Sequence, residues 1–198
     1  MSQVVADVIF FDRLRQVGRW TGQYMVDRSN VMAHVARLHF WKVNLTQVMF
    51  DSYMHHGFSP ESFDFHMNAL ADYLTVHDMD EVETGDVPHT AKKKYPGLKK
   101  ALDRIAEQVM QPHVFKVFTF SAIDERPKAF LKEWAKIIDM LDFTFEAFNE
   151  VIKGNKSPDI LRANRIAYNY VKEAEFFSAS HEVVLAIIDE LNPENQCE

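Results

Sequence analysis

Apolar residues recur along this chain at steps of three and four, the period of a helix that buries one face. The pattern predicts helices over residues 3–16, 31–55, 61–78, 97–111, 128–152, 158–178 and 180–191. Their ends carry the residues that helix ends select. Ser29 and Asn30 offer capping oxygens ahead of the second helix, Ser59-Pro60 opens the third, and Ser157-Pro158-Asp159 opens the sixth. Gly57 and Gly154 close the second and the fifth. No repeat, low-complexity tract or linker interrupts the series. The sequence therefore predicts an all-α, single-domain helical bundle over 1–198. Its one long polar connection, 79–96, has a length that more often marks function than idle chain.

Composition narrows the class. With 198 residues, 47% of them apolar and 16 phenylalanines, the chain can bury a substantial core, which excludes a disordered protein. A net charge of −7 argues against a broad grip on a nucleic acid polymer, yet leaves room for a small basic pocket around a phosphate. Cys197 is the single cysteine, so no disulfide framework or cysteine zinc site is expected. Met1-Ser2-Gln3 opens without a basic and apolar leader, and no apolar run approaches membrane-spanning length. A soluble cytoplasmic protein without a membrane partner is the expectation.

Polar residues inside the apolar stripes carry the chemistry. On the second helix His34 shares a stripe with Leu38, Trp41, Leu45 and Val48. On the third, Phe63, Met67, Leu70, Leu74 and His77 line up, and Glu81 extends the row. One inward histidine is ordinarily a core residue satisfied by a carbonyl. Two of them with Asp78 adjacent point to a divalent metal, which pairs imidazole with carboxylate. A further ligand must come from a distant helix, and the apolar run 134–142 holds two candidates, Asp139 and Asp142. The stripe Trp134, Ile138, Leu141, Phe145, Phe148 and Ile152 runs nearer to Asp142, so periodicity leaves both open. His39, His55, His56, His66, His89, His113 and His181 are read as non-ligands, and the phenylalanines of 115–120 and 143–148 as core or subunit interface. Glu81, one turn from His77, is placed to orient a water or carry its proton. Asp86 is either a second acid/base or a loop anchor, and Lys92-Lys93-Lys94 is either a solvated run or a contact for a polyphosphate.

At these residues the chain resembles the HD-domain metal-dependent phosphohydrolases, and within them the YfbR-like 5′-deoxynucleotidase branch, over most of its length up to about residue 150. The matching strings are Arg19-Trp20, Asn30-Val31 before His34, and His77-Asp78-x-x-Glu81-Val82-x-Thr84-Gly85-Asp86-x-Pro88 with Lys92 after it. The last is Lys136-x-x-Asp139-x-Leu141, which selects Asp139 over Asp142. Ala33 departs from the pattern, because the family usually has an acidic residue there. The resemblance implies an HD-type bundle and one divalent ion (Co²⁺, Mn²⁺, Zn²⁺, Fe²⁺ or Mg²⁺) on His34, His77, Asp78 and Asp139. It implies that Arg19 binds phosphate, that Trp20 packs on the sugar, and that Lys92 lies on the substrate side. The reaction it implies is hydrolysis of a deoxynucleoside monophosphate to nucleoside and phosphate, by a homo-oligomer of two or more chains. Phage enzymes that hydrolyse dATP to deoxyadenosine and triphosphate are similar over the same motifs, which makes a dNTP triphosphohydrolase the alternative. A non-catalytic nucleotide-binding protein is a third and more remote reading.

Overall fold

The computed structural model describes residues 10–19, 25–26, 29–87 and 89–192. Among them are α1 (Val31–Asn44), α2 (Thr46–His55), α3 (Phe63–Val76), α4 (Glu81–Thr84), α5 (His89–Lys94) and α6 (Pro96–Val109). Then come α7 (Pro112–Phe118), α8 (Glu125–Ile152), α9 (Pro158–Lys172) and α10 (His181–Glu190). Arg13–Gln16 and Pro60–Ser62 form 3₁₀ turns. No strand occurs among the described residues, only an isolated bridge between Gly18 and Asn30. No helix among them is long and apolar enough to cross a membrane. The all-α expectation holds.

Boundaries moved where side chains compete with the backbone. The expected helix 31–55 breaks at Leu45, where Thr46 Oγ1 donates to the Lys42 carbonyl (3.0 Å) and Asn44 Nδ2 to that of Phe40 (2.7 Å). The buried side accordingly shifts from His34, Leu38 and Leu45 to Met49, Ser52 and Tyr53, leaving Trp41 and Val48 half-buried. The connection 79–96 is not irregular throughout, since it contains α4 and α5. A separate α7 begins at Pro112, where no helix was expected. The expected helix 158–178 stops at Lys172. Of the expected helix 3–16, residues 10–12 are helical and Arg13–Gln16 tighten into the 3₁₀ turn.

The chain divides into two compact units. The first, residues 1–36 and 72–122, packs Leu14, Val31, Val35, Met79, Ala106 and Met110 into a core, with Phe115 and Phe118 against it. The second, residues 37–71 and 123–198, sets α9 against α8 and α10, and α10 against α2. An aromatic cluster of Tyr53, Phe58, Phe130 and Phe176 forms its centre, with ring centroids 4.7–6.3 Å apart. Along α8, Trp134, Ile138 and Leu141 are buried as expected, but beyond Leu141 the buried positions are Asp142, Thr144, Glu146, Ala147, Glu150 and Val151. Phe145 and Phe148 are half-buried and Ile152 is 60% exposed. Glu150 accepts from Asn155 Nδ2 at 2.9 Å, and Asp142 and Glu146 reverse the simple pattern because Arg37 meets them. Its Nε donates to Asp142 Oδ1 (2.6 Å), one Nη to Asp142 Oδ2 (3.0 Å), and the same Nη to Glu146.

Candidate metal centre

The first unit builds its polar centre from the N-terminal turn of α1 and the turn that follows α3. Asn30 caps α1: its Oδ1 accepts the Ala33 N–H at 2.9 Å, and its carbonyl accepts that of His34 at 3.1 Å. The segment before it is pinned by two backbone bonds, Arg19 N–H to the Ser29 carbonyl and Val31 N–H to the Val17 carbonyl, each 3.0 Å. Capping thus aims His34 into the interior, fully buried. Trp20, expected beside Arg19, lies outside the described residues, as do Pro88 and Cys197.

His77 sits one residue past the end of α3, where turns replace the regular ladder. The Met79 N–H reaches the Val76 carbonyl and the Glu81 N–H that of Asp78, both at 3.0 Å. Its ring is fixed by a hydrogen bond from Nδ1 to the Leu74 carbonyl, 3.0 Å away. A carbonyl only accepts, so Nδ1 carries the hydrogen and Nε2 of the neutral ring presents a lone pair. That Nε2 lies 3.2 Å from Asp78 Oδ1, while His34 Nε2 lies 3.5 Å from Asp78 Oδ2. The two imidazoles can offer nitrogens within 4.8 Å of each other, with ring centroids 5.6 Å apart. A lone pair on His77 facing a carboxylate calls for a cation between them, and imidazole with carboxylate oxygen is a donor set for a divalent first-row ion. The residues fit such an ion. Arg19 Nη1 approaches Asp78 Oδ2 at 4.0 Å.

Glu81 opens α4 and is buried. Burial, with the charges of Asp78 and Asp86 behind it, pushes its carboxyl up to about 10, against the opposing pull of Lys92 and Arg19. Asp80 is raised to about 6, again by burial first and Asp78 second, with Lys92 opposing. Lys92 therefore acts electrostatically on this cluster. Beside it is a cavity of about 360 Å³, lined by Arg13, Gln16 and Val17 on one side and Glu81, Gly85 and Asp86 on the other. Arg13 Nη1 reaches Glu83 Oε1 at 2.9 Å and ties the 3₁₀ turn to α4.

Asp139 belongs to the second unit, half-buried on α8, where Lys136 Nζ pairs with its Oδ2. Asp142, the alternative that periodicity left open, gives both oxygens to Arg37. Three of the histidines set aside as non-ligands have structural partners. His56 Nε2 faces the Phe176 carbonyl at 2.8 Å, His66 Nδ1 bonds Tyr53 Oη at 2.6 Å, and His181 Nδ1 accepts the Ser178 N–H at 3.2 Å. Sequence reasoning missed the Arg37 fork, although Arg37 follows His34 by one turn and so shares its inward side. It also missed Tyr73, whose ring packs on His77 at 5.8 Å between centroids.

A family model for YfbR-like 5′-deoxynucleotidases matches residues 8–183. No curated protein is significantly similar in sequence. Among solved structures, the chain is similar to an HD-domain phosphohydrolase from Listeria innocua, with a TM-score of 0.70, 16% identity, and 95% of this chain and 89% of the other covered. It is also similar to DatZ, the HD phosphohydrolase of cyanophage S-2L bound to dA and one catalytic Zn²⁺ ion. There the TM-score is 0.65, the identity 16%, and the coverage 94% and 96%. The PH0347 protein of Pyrococcus horikoshii matches with a TM-score of 0.66, 18% identity, and 94% and 99% covered. The fold is that of the HD-domain phosphohydrolases.

Proposed function

Because the chain belongs to the YfbR-like 5′-deoxynucleotidase family, we propose that it hydrolyses deoxynucleoside 5′-monophosphates to deoxynucleoside and phosphate, using one divalent ion held by His34, His77, Asp78 and Asp139. The observation that carries this reading is Asp78 facing the Nε2 atoms of two imidazoles, one of them tautomerically fixed with its lone pair outward. Asp139 enters on the Lys136-x-x-Asp139-x-Leu141 motif and because Arg37 occupies its rival. The whole chain, 1–198, is read as one such domain, since the family match spans sequence from both units. A homo-oligomer in the cytoplasm belongs to the same reading.

When bound, the ion supplies Lewis acidity toward a phosphoryl oxygen and lowers the pKa of a coordinated water. The protein's own groups do the rest. Arg19, within 4.0 Å of Asp78, grips the phosphate with a forked, permanently charged donor. Glu81, whose carboxyl is pushed up by burial and by the Asp78 charge, favours its protonated form beside Asp78 and is the group to orient the attacking water. Asp86, on the cavity wall with Glu81, stands on the side of the leaving 5′-oxygen, and Lys92 draws the phosphate toward this acidic cluster. Trp20 packs on the sugar.

The test is product identification with Co²⁺, Mn²⁺ or Mg²⁺ present. Orthophosphate from dNMPs is expected. Inorganic triphosphate from dATP would establish the triphosphohydrolase alternative instead, and hydrolysis of neither substrate with any ion would leave a nucleotide-binding protein.

A further inference from the structure

Three helix ends in this chain close with the same pair of backbone bonds. After α2 the Gly57 N–H reaches the Met54 carbonyl (3.0 Å) and that of Phe58 reaches Tyr53 (3.3 Å). After α8 the Gly154 N–H reaches Val151 and that of Asn155 reaches Glu150, both at 2.9 Å. After α7 the Phe120 N–H reaches Val117 and that of Ser121 reaches Lys116, both at 3.0 Å. The motif requires a left-handed residue at its pivot, which is why glycine fills it twice, at φ 71° and 91°. At the third pivot stands Phe120, at φ 52°, the only non-glycine with positive φ among the described residues. A bulky L residue there is sterically disfavoured and persists only where its surroundings hold it.

What holds it is Tyr73. The Phe120 ring is 3% exposed and stacks on the Tyr73 ring, with centroids 4.6 Å apart and planes 20° from parallel. Tyr73 in turn lies against the His77 imidazole, 5.8 Å between centroids and tilted by 38°. His77 is past the end of α3, so the helix does not by itself set the angle of its ring. We propose that Phe120 is a positioning residue for His77: its left-handed backbone delivers a flat ring behind Tyr73, and the two rings form a backstop that keeps the imidazole aligned with the Leu74 carbonyl and Asp78. This inference rests on the metal-site reading above.

Two measurements on the whole chain separate the inference from that reading. In metal-free protein, ¹⁵N NMR of the His77 ring reports its tautomer. The parent protein is expected to show Nδ1 protonated. Phe120→Gly, which suits the backbone and deletes the ring, and Phe120→Leu, which keeps bulk without a flat face, are expected to give mixed tautomers. Tyr73→Leu should do the same, and Tyr73→Phe should retain the parent state. Calorimetric Co²⁺ affinity is expected to fall in step in the perturbed variants, by roughly 10–100-fold, while a Phe130→Leu control in the second unit lowers melting temperature without altering either readout. Parent tautomer and parent Co²⁺ affinity in Phe120→Gly and Tyr73→Leu would overturn the proposal, as would an equal loss in the Phe130→Leu control. A parent protein with the fixed tautomer but no Co²⁺ binding would overturn the metal reading alone, and the tautomers of the variants would still decide this one.

Discussion

At the residue scale, Asp78 points its two oxygens at two different imidazoles, Oδ1 to His77 and Oδ2 to His34. Asp78→Asn keeps the shape but turns one oxygen into a donor and removes the charge. Loss of hydrolysis by at least about 100-fold is expected, with the circular dichroism of the folded protein retained. Parent-level turnover would remove Asp78 from the site. Arg19 is a different case, because a lysine keeps the charge and loses the fork. Arg19→Lys is expected to raise KM for a monophosphate about tenfold and Arg19→Ala about 100-fold, equivalent to roughly 3 kcal/mol in kcat/KM. Equal kinetics for the two variants would show that only charge matters there. The histidines and Asp78 stand out in the sequence because each breaks a local rule, imidazoles in apolar rows and an aspartate beside one of them, whereas Arg19 is marked only by the Arg19-Trp20 resemblance. Tyr73 and Phe120 break no such rule. An aromatic residue in an apolar row reads as core, and positive φ has no sequence signal when the residue is not glycine.

At the scale of elements, α3 is the helix the sequence described best. Phe63, Met67, Leu70 and Leu74 are buried as the row predicts, and the buried His66 beside them is satisfied by Tyr53 Oη, while Glu81 is buried on α4 beyond the turn. α8 is where the pattern misled, since Asp142 and Glu146 are buried as partners of Arg37 from α1, 105 and 109 positions away in sequence. Long-range charge pairing leaves no periodic trace. The same pairing is a measurable link between α1 and α8. Arg37→Leu leaves the fully buried Asp142 without its cation and is expected to cost roughly 3–5 kcal/mol in urea unfolding, whereas Arg37→Leu combined with Asp142→Leu and Glu146→Gln should recover most of that loss. A single variant within about 0.5 kcal/mol of the parent would show that the fork is idle.

For the whole molecule, acid stability has an identifiable contributor in the second unit. His181 is fully buried between Trp134 and Phe177, and burial, then the nearby His56, lowers its pKa to about 4. The unfolded chain takes up this proton near 6.5 and the folded chain resists until about 4. Stability present above pH 6.5 is therefore lost as pH falls through that window, by about 3 kcal/mol at most. The melting temperature of His181→Leu is expected to fall less steeply than that of the parent between pH 6.5 and 4. Parallel slopes would contradict a buried neutral imidazole. The sequence marked His181 only as a non-ligand, because its burial depends on Trp134 of α8 lying over its ring, which no local pattern records.

The facing of Asp78 and His77 has a consequence outside catalysis. Inside a folded unit the Asp78 carboxylate and the two imidazoles are held within 3.2–3.5 Å of one another, an arrangement the unfolded chain does not maintain. An ion held there would be a component of the fold as much as a reagent, and nucleotide-free protein should already depend on it. Its contribution grows with the logarithm of free metal, to about 2.7 kcal/mol at a hundredfold excess over Kd. Titrating a chelator into protein carrying its metal is expected to lower the melting temperature, and re-adding Co²⁺ or Mn²⁺ to restore it. An unchanged melting curve would place the ion outside the structure's own stability. A shifted one would make thermal unfolding a direct gauge of site occupancy, with no substrate required.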